Sequence, residues 1–235
     1  MADYRLNLAA IECSLRAVQK NFPRINEHLS SHRDTLNDEV VENMMSGYAF
    51  VDATIGNRTN LFAMGYSRYL LELNNIVLYG SKGEQRKLFS EQIRASEQRF
   101  YEQSEGGIGD ILEWYKLHKN ESVWQRAAGV YIRILSQPQL YIEGNHRTGA
   151  LIMSYLLVRE GQPPFVLTVE NAKEYFDPST LIRKTKKRSI EMLVRLPKLK
   201  KHFARFLQKQ NHRRHLLSLQ ESLNVANDLK RRRSI

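Results

Sequence analysis

Residues 139–150 read Gln139-Leu140-Tyr141-Ile142-Glu143-Gly144-Asn145-His146-Arg147-Thr148-Gly149-Ala150. Strongly apolar text lies on both sides. Upstream, Asn120 or Ser122 can cap a helix that places Val123, Trp124, Ala127, Ala128, Tyr131, Ile134 and Leu135 at helical spacing, with Gln137-Pro138 as its stop. Downstream, the pattern predicts a helix from about Ala150 to Glu160, with Gly161 as a left-handed cap and Pro163-Pro164 preventing continuation. The unit is helix, Gly/Asn-rich loop, helix, and both helices are expected to be buried.

The first amides of a helix have no partner inside it and carry the positive end of the dipole. A Gly/Asn-rich loop feeding that end can turn several N–H groups inward, which suits a phosphate-sized anion. The candidate phosphate-binding residues are Gly144, Asn145, His146, Arg147, Thr148 and Gly149, with Arg147 adding a forked donor. Glu143 offers the single carboxylate with which a magnesium ion is commonly held against phosphates. The same composition also suits an ordinary capped turn between two helices.

Elsewhere the text reads as mainly helical. Leu8, Ile11, Leu15 and Val18 mark a first helix over 4–20, ended by Phe22-Pro23. Asp34 or Thr35 can cap a second, carrying Val40, Val41, Met44, Met45 and Tyr48. A third runs from Tyr69 to Tyr79 and breaks at Gly80-Ser81-Lys82-Gly83, and Ser90 opens a polar helix through Gln103. Gly106-Gly107-Ile108-Gly109-Asp110 is the most flexible-looking stretch.

The 36 Lys and Arg against 25 Asp and Glu give a net charge of +11, and it is unevenly placed. Residues 180–235 hold 17 basic and 3 acidic residues, net +14, so the remaining 179 are net −3. A domain of residues 1–180 followed by a basic helical extension over 181–235 is the expected organisation. Within 183–233, clusters at Lys184, Lys186, Lys187 and Arg188, at Lys198, Lys200, Lys201 and Arg205, and at Lys230-Arg231-Arg232-Arg233 can neutralise phosphates of a nucleic acid, or simply form a solvated helix face and tail. Phe203 and Phe206, three apart, suit packing on the core better than stacking on bases.

One cysteine in 235 residues excludes a disulfide scaffold and any cysteine-based zinc site. Cys13 is read as a reduced thiol, and with no signal-like N-terminus the expected location is cytoplasmic. No apolar run reaches the ~18–20 residues of a membrane span. His28 and His32 stand four apart without a third ligand nearby, and His212 and His215 lie in the basic region. There is no P-loop, no G-x-S-x-G and no G-x-G-x-x-G.

The stretch from Gln139 to Ala150 resembles the signature of Fic-domain proteins, H-x-F-x-(D/E)-G-N-G-R-x-x-R. The likeness is clear over about 120–165 and extends over roughly 40–195. It implies a helical bundle with a β-hairpin flap beside the site, for which 104–112 is the candidate position here. It also implies ATP and Mg2+ as ligands and transfer of AMP to a protein hydroxyl; the related Doc branch transfers phosphate, and a few members transfer UMP or phosphocholine. On that likeness Glu143 is the magnesium-binding acid, Gly144 and Asn145 belong to the anion hole, Arg147 contacts nucleotide phosphates, and Tyr141 replaces the Phe that anchors the loop. Tyr175-Phe176 stands where members often offer an aromatic to the base.

Three positions depart from the family. Gln139 occupies the place of the catalytic histidine, and a carboxamide cannot act as a general base. Ala150 replaces the second arginine, which in active members pairs with the outer phosphates. His146 stands where Gly, or Lys in the Doc-like branch, is usual. The family's inhibitory pattern (S/T)-x-x-x-E-(G/N) is not matched, since Thr35…Glu39 is followed by Val40. The expectation is a nucleotide- or phosphate-binding pseudo-enzyme or partner-binding protein. The alternatives are an active AMP- or phosphotransferase using His146 as substitute base, and nucleic-acid binding through 183–233.

Overall fold

The computed structural model describes residues 4–102, 105–187, 190–210, 212–218, 220–222 and 224. Among these residues the chain is mainly helical, with one small two-stranded antiparallel sheet. A short strand β1 (Tyr4–Leu6) leads into α1 (Leu8–Glu27), which buries Ile11, Leu15, Val18, Phe22 and Ile25 along one face. Pro23 does not end this helix. An interior proline costs about 3 kcal/mol, but the helix beyond it brings Ile25 and then Leu29 into the core, each worth roughly 1.5–3 kcal/mol.

Next come α2 (Asp38–Gly56), α3 (Arg68–Tyr79), α4 (Gly83–Leu88) and α5 (Ser90–Glu102). The cap of α2 is Asn37, not Asp34 or Thr35: its side chain accepts from the Val40 amide. Gly80, with φ +69°, ends α3 as the breaker predicted.

The sequence after α5 corrects one expectation. Residues 108–112, placed in a β-hairpin flap from the likeness, form the start of α6 (Ile108–Leu117). Ile108, Ile111 and Trp114 recur at helical spacing on its buried side, a pattern no two-residue alternation can bury. The sheet is instead made from the far ends of the chain.

The central unit is α7 (Val123–Leu135) packed on α8 (Asn145–Arg159). Ser122 and Gln125 form a reciprocal capping box on α7. α8 also contacts α2 and α3, which explains why its buried residues form almost the whole run from Thr148 to Val158. It starts at Asn145, about five residues earlier than the apolar pattern indicated, because Gly144 supplies a left-handed turn directly before it. The last elements among the described residues are α9 (Ala172–Lys184), α10 (Ile190–Lys209), a short 3-10 turn at Arg213–His215, and β2 (Leu216–Ser218). β2 pairs with β1, Tyr4 opposite Ser218 and Leu6 opposite Leu216.

The core is continuous across residue 180. Phe203, Ala204, Phe206 and Leu207 of α10 are buried, and the Phe203 ring stacks on Tyr131 of α7 at 5.0 Å. Phe203 and Phe206 thus pack inward, as their spacing indicated. Among the described residues no helix is long and apolar enough to cross a membrane.

Candidate functional site

The residues singled out between Gln139 and Gly149 form the turn into α8 and its first helical turn. Gly144 makes the turn, with φ +73°. A Cβ there would stand 2.8 Å from Asn74 Nδ2 and 3.2 Å from Leu78, so both backbone angle and space require glycine. Asn74, fully buried on α3, donates to the Glu143 carbonyl at 2.9 Å and to Thr148 Oγ1 at 3.0 Å. One side chain thereby pins both sides of the glycine.

The first three side chains of α8 go to three different neighbours. Asn145, 5% exposed, folds back over the turn: its Oδ1 accepts from the Tyr141 amide at 3.0 Å and its Nδ2 donates to the Tyr141 carbonyl at 2.9 Å. The His146 ring sits between Arg33 and Tyr131, at 3.3 Å from the Arg33 guanidinium and 3.2 Å from the Tyr131 hydroxyl. Arg147 turns to α3, where its guanidinium donates to the Val77 carbonyl at 3.1 Å, near the negative end of that helix. Burial lowers the Arg147 pKa, opposed by the charges of Glu143, Glu39 and Asp34.

At the roots of these side chains, the amides of Gly144, Asn145, His146 and Arg147 find no acceptor among the described residues, and Gly144 supplies no capping side chain. Thr148 N, the next along, bonds the Gly144 carbonyl at 2.9 Å. Glu143 is exposed beside this helix start. Thr148, Gly149 and Ala150 lie in the packing: the Thr148 hydroxyl serves Asn74, Ala150 is 6% exposed, and a Cβ on Gly149 would come within 2.7 Å of the Tyr131 ring.

Gln139 lies at the same turn. Its Nε2 donates to the Leu135 carbonyl at 3.1 Å, and its Oε1 meets Asn145 Nδ2 at 3.5 Å. Its backbone carbonyl accepts two bonds from the Arg99 guanidinium, at 3.2 and 2.9 Å. The preceding carbonyl, of Pro138, accepts from Lys187 Nζ at 2.6 Å. Burial depresses the Lys187 pKa to about 8, aided by Arg133 and Arg99 and opposed by Asp110.

The His146 ring belongs to a closed hydrogen-bond network. Arginine only donates, so Nε2 of His146 accepts from Arg33 and the ring proton sits on Nδ1, facing Tyr131. The Tyr131 hydroxyl then donates to Ser179 Oγ at 2.8 Å, Ser179 to the Tyr175 carbonyl, and the Tyr175 hydroxyl returns to the His146 carbonyl at 3.1 Å. Burial, with Arg33 and Arg183 nearby, pushes the His146 pKa down to about 3. The ring is neutral at pH 7 and its one basic nitrogen is occupied.

Tyr175 and Phe176 are both buried, and the Tyr175 hydroxyl is used in this network. His28 and His32 are exposed and outside helices, and the described residues contain no cluster of three or more His, Cys, Asp or Glu able to hold a metal. Asn74, Arg33 and Arg99 are positioning residues the sequence did not reveal. They lie 40 or more residues from the groups they hold, in segments with no motif of their own.

Comparison of the chain with protein-family models, with curated proteins and with solved structures found no match in any of the three.

Proposed function

We propose that this chain is a Fic-like protein that receives a phosphate-bearing ligand, such as a nucleotide, over the start of α8 and does not transfer any part of it. The carrying observation is the row of four unpartnered amides, Gly144 to Arg147, at the positive end of a long buried helix. A bound phosphate would supply the acceptors those donors lack. Arg147, bonded to the Val77 carbonyl through one N–H group among the described residues, keeps further donors for such a ligand.

The chemistry for transfer is missing at the same place. Gln139 stands where the likeness calls for a proton acceptor, and its carboxamide is bonded to Leu135 and Asn145. His146 is neutral with its lone pair committed to Arg33. Buried Ala150 offers no charge to outer phosphates. Such a chain binds and positions a ligand or a partner that carries one.

Glu143 fits a magnesium role in a limited sense. It is one exposed carboxylate outside any group of three or more metal-binding side chains among the described residues, so it would hold Mg2+ only together with oxygens of a bound phosphate. The ion would neutralise phosphate charge there.

Calorimetric titration with ATP, ADP and AMP, with and without Mg2+, tests the reading. Binding that is weakened tenfold or more by Arg147→Ala is the expected result. An absence of heat at millimolar nucleotide would leave only a scaffold.

A further inference from the structure

The second basic cluster of the sequence is divided by the fold. Lys200 turns inward: it pairs with Glu121 at 2.6 Å and lies 5.5 Å from the centre of the Trp114 ring. Lys198, Lys201, Arg205 and Lys209 face outward, all exposed, and none of them has an ion-pair partner among the described residues. At 100° per residue these four occupy one narrow strip, and at 1.5 Å per residue the strip is about 16 Å long. His202 and Gln208 are the exposed residues beside it. The opposite side of the same helix carries buried Phe203, Ala204, Phe206 and Leu207. The cations are therefore mounted on a helix fixed in the core.

We infer that the outward face of α10 is a docking surface for the phosphate backbone of duplex nucleic acid. Charge complementarity selects a polyanion, since four unpaired cations about one helical turn apart match a dense row of negative charge. Phe203 and Phe206 are buried, so among the described exposed residues of this face only the small His202 ring is left to stack on an unpaired base. Exposed Lys198, Lys201, His202, Arg205, Gln208 and Lys209 include no apolar anchor for an acyl layer. Contacts limited to phosphates imply binding that ignores base sequence and depends steeply on salt. This inference does not depend on the ligand reading for α8.

The experiment is fluorescence anisotropy of the full chain with a labelled duplex of about 20 base pairs and arbitrary sequence, at several salt concentrations. Four phosphate contacts predict an affinity loss of about 100-fold between 50 and 200 mM salt. The variant Lys198→Gln/Lys201→Gln/Arg205→Gln/Lys209→Gln is expected to lose at least tenfold in affinity at 50 mM and to show a shallower salt slope. Lys200→Gln is expected to bind within about threefold of the unmodified chain. The double variant Lys198→Gln/Arg205→Gln is expected to fall between, which keeps the test valid if the fourfold variant melts early. Equal binding by the fourfold or double variant overturns the inference. So does binding to phosphatidylserine vesicles with no binding to the duplex, or no duplex binding at 50 mM salt.

Discussion

Nε2 of His146 accepts a hydrogen bond from the Arg33 guanidinium at 3.3 Å, across 113 residues of chain. The contact removes the one lone pair by which this histidine could serve as a base. It also makes protonation of the ring costly, because the proton would face a cation in a buried site.

That cost sets a pH dependence. The folded His146 pKa, about 3, lies below the ordinary value of 6.5. Between those values the unfolded chain binds the extra proton and the folded chain does not, so stability falls as pH drops below about 6.5. At pH 5 the contribution is about 2 kcal/mol. Denaturant unfolding of the unmodified chain and His146→Gln at pH 7 and pH 5 measures it. The variant should lose less stability over that interval, by about 2 kcal/mol; equal losses would mean the ring is not held neutral by its surroundings.

Gly144→Ala should be damaging well beyond the size of a methyl group. A left-handed alanine costs about 1–2 kcal/mol, and the added carbon would push Asn74 off its bonds to the Glu143 carbonyl and Thr148. A total loss of about 2–4 kcal/mol is expected in chemical denaturation. Ser96→Ala, which removes only the 3.5 Å contact to Asn74 Oδ1, should cost under about 1 kcal/mol.

Phe203→Ala tests whether α10 is part of the core. The ring is fully buried against Tyr131 and Phe206, so its loss should cost about 3–5 kcal/mol. A detachable extension would lose almost nothing. For the same reason, truncation at residue 180 should expose Tyr131 and Phe165 and yield an aggregating chain.

Incubation of cell extracts with α- or γ-labelled ATP should give the same labelled proteins with and without the added chain. Label that disappears in His146→Ala would restore the transferase alternative.

Much of the fold is legible in the text because helical period and punctuation agree. Gly80 ends α3, Ser122 caps α7 and Phe203 and Phe206 turn inward at the positions their neighbours imply. The failures have physical causes. Pro23 reads as a stop, but the burial of residues beyond it carries α1 onward. Gly106 to Asp110 reads as flexible, and the family likeness put a hairpin there, yet Ile108, Ile111 and Trp114 bury as a helix and the Asp110 side chain accepts from the Gly106 amide. The start of α8 lies outside the apolar pattern because its first turn is polar, and polar residues resemble a loop when their side chains are caged by distant partners. In the site itself, Gln139 and Glu143–Arg147 are visible as a motif. The residues that set their geometry, Asn74, Arg33 and Arg99, act through long-range bonds that leave no local pattern.

The amide cradle can be observed directly. In 15N-labelled protein, titration with ADP should shift the backbone N–H signals of Gly144, Asn145, His146 and Arg147 most strongly, downfield and saturably, while those of Leu151 to Leu157 stay nearly fixed. Shifts absent at 144–147 with millimolar ADP, or concentrated elsewhere in the chain, would contradict an anion site at the start of α8.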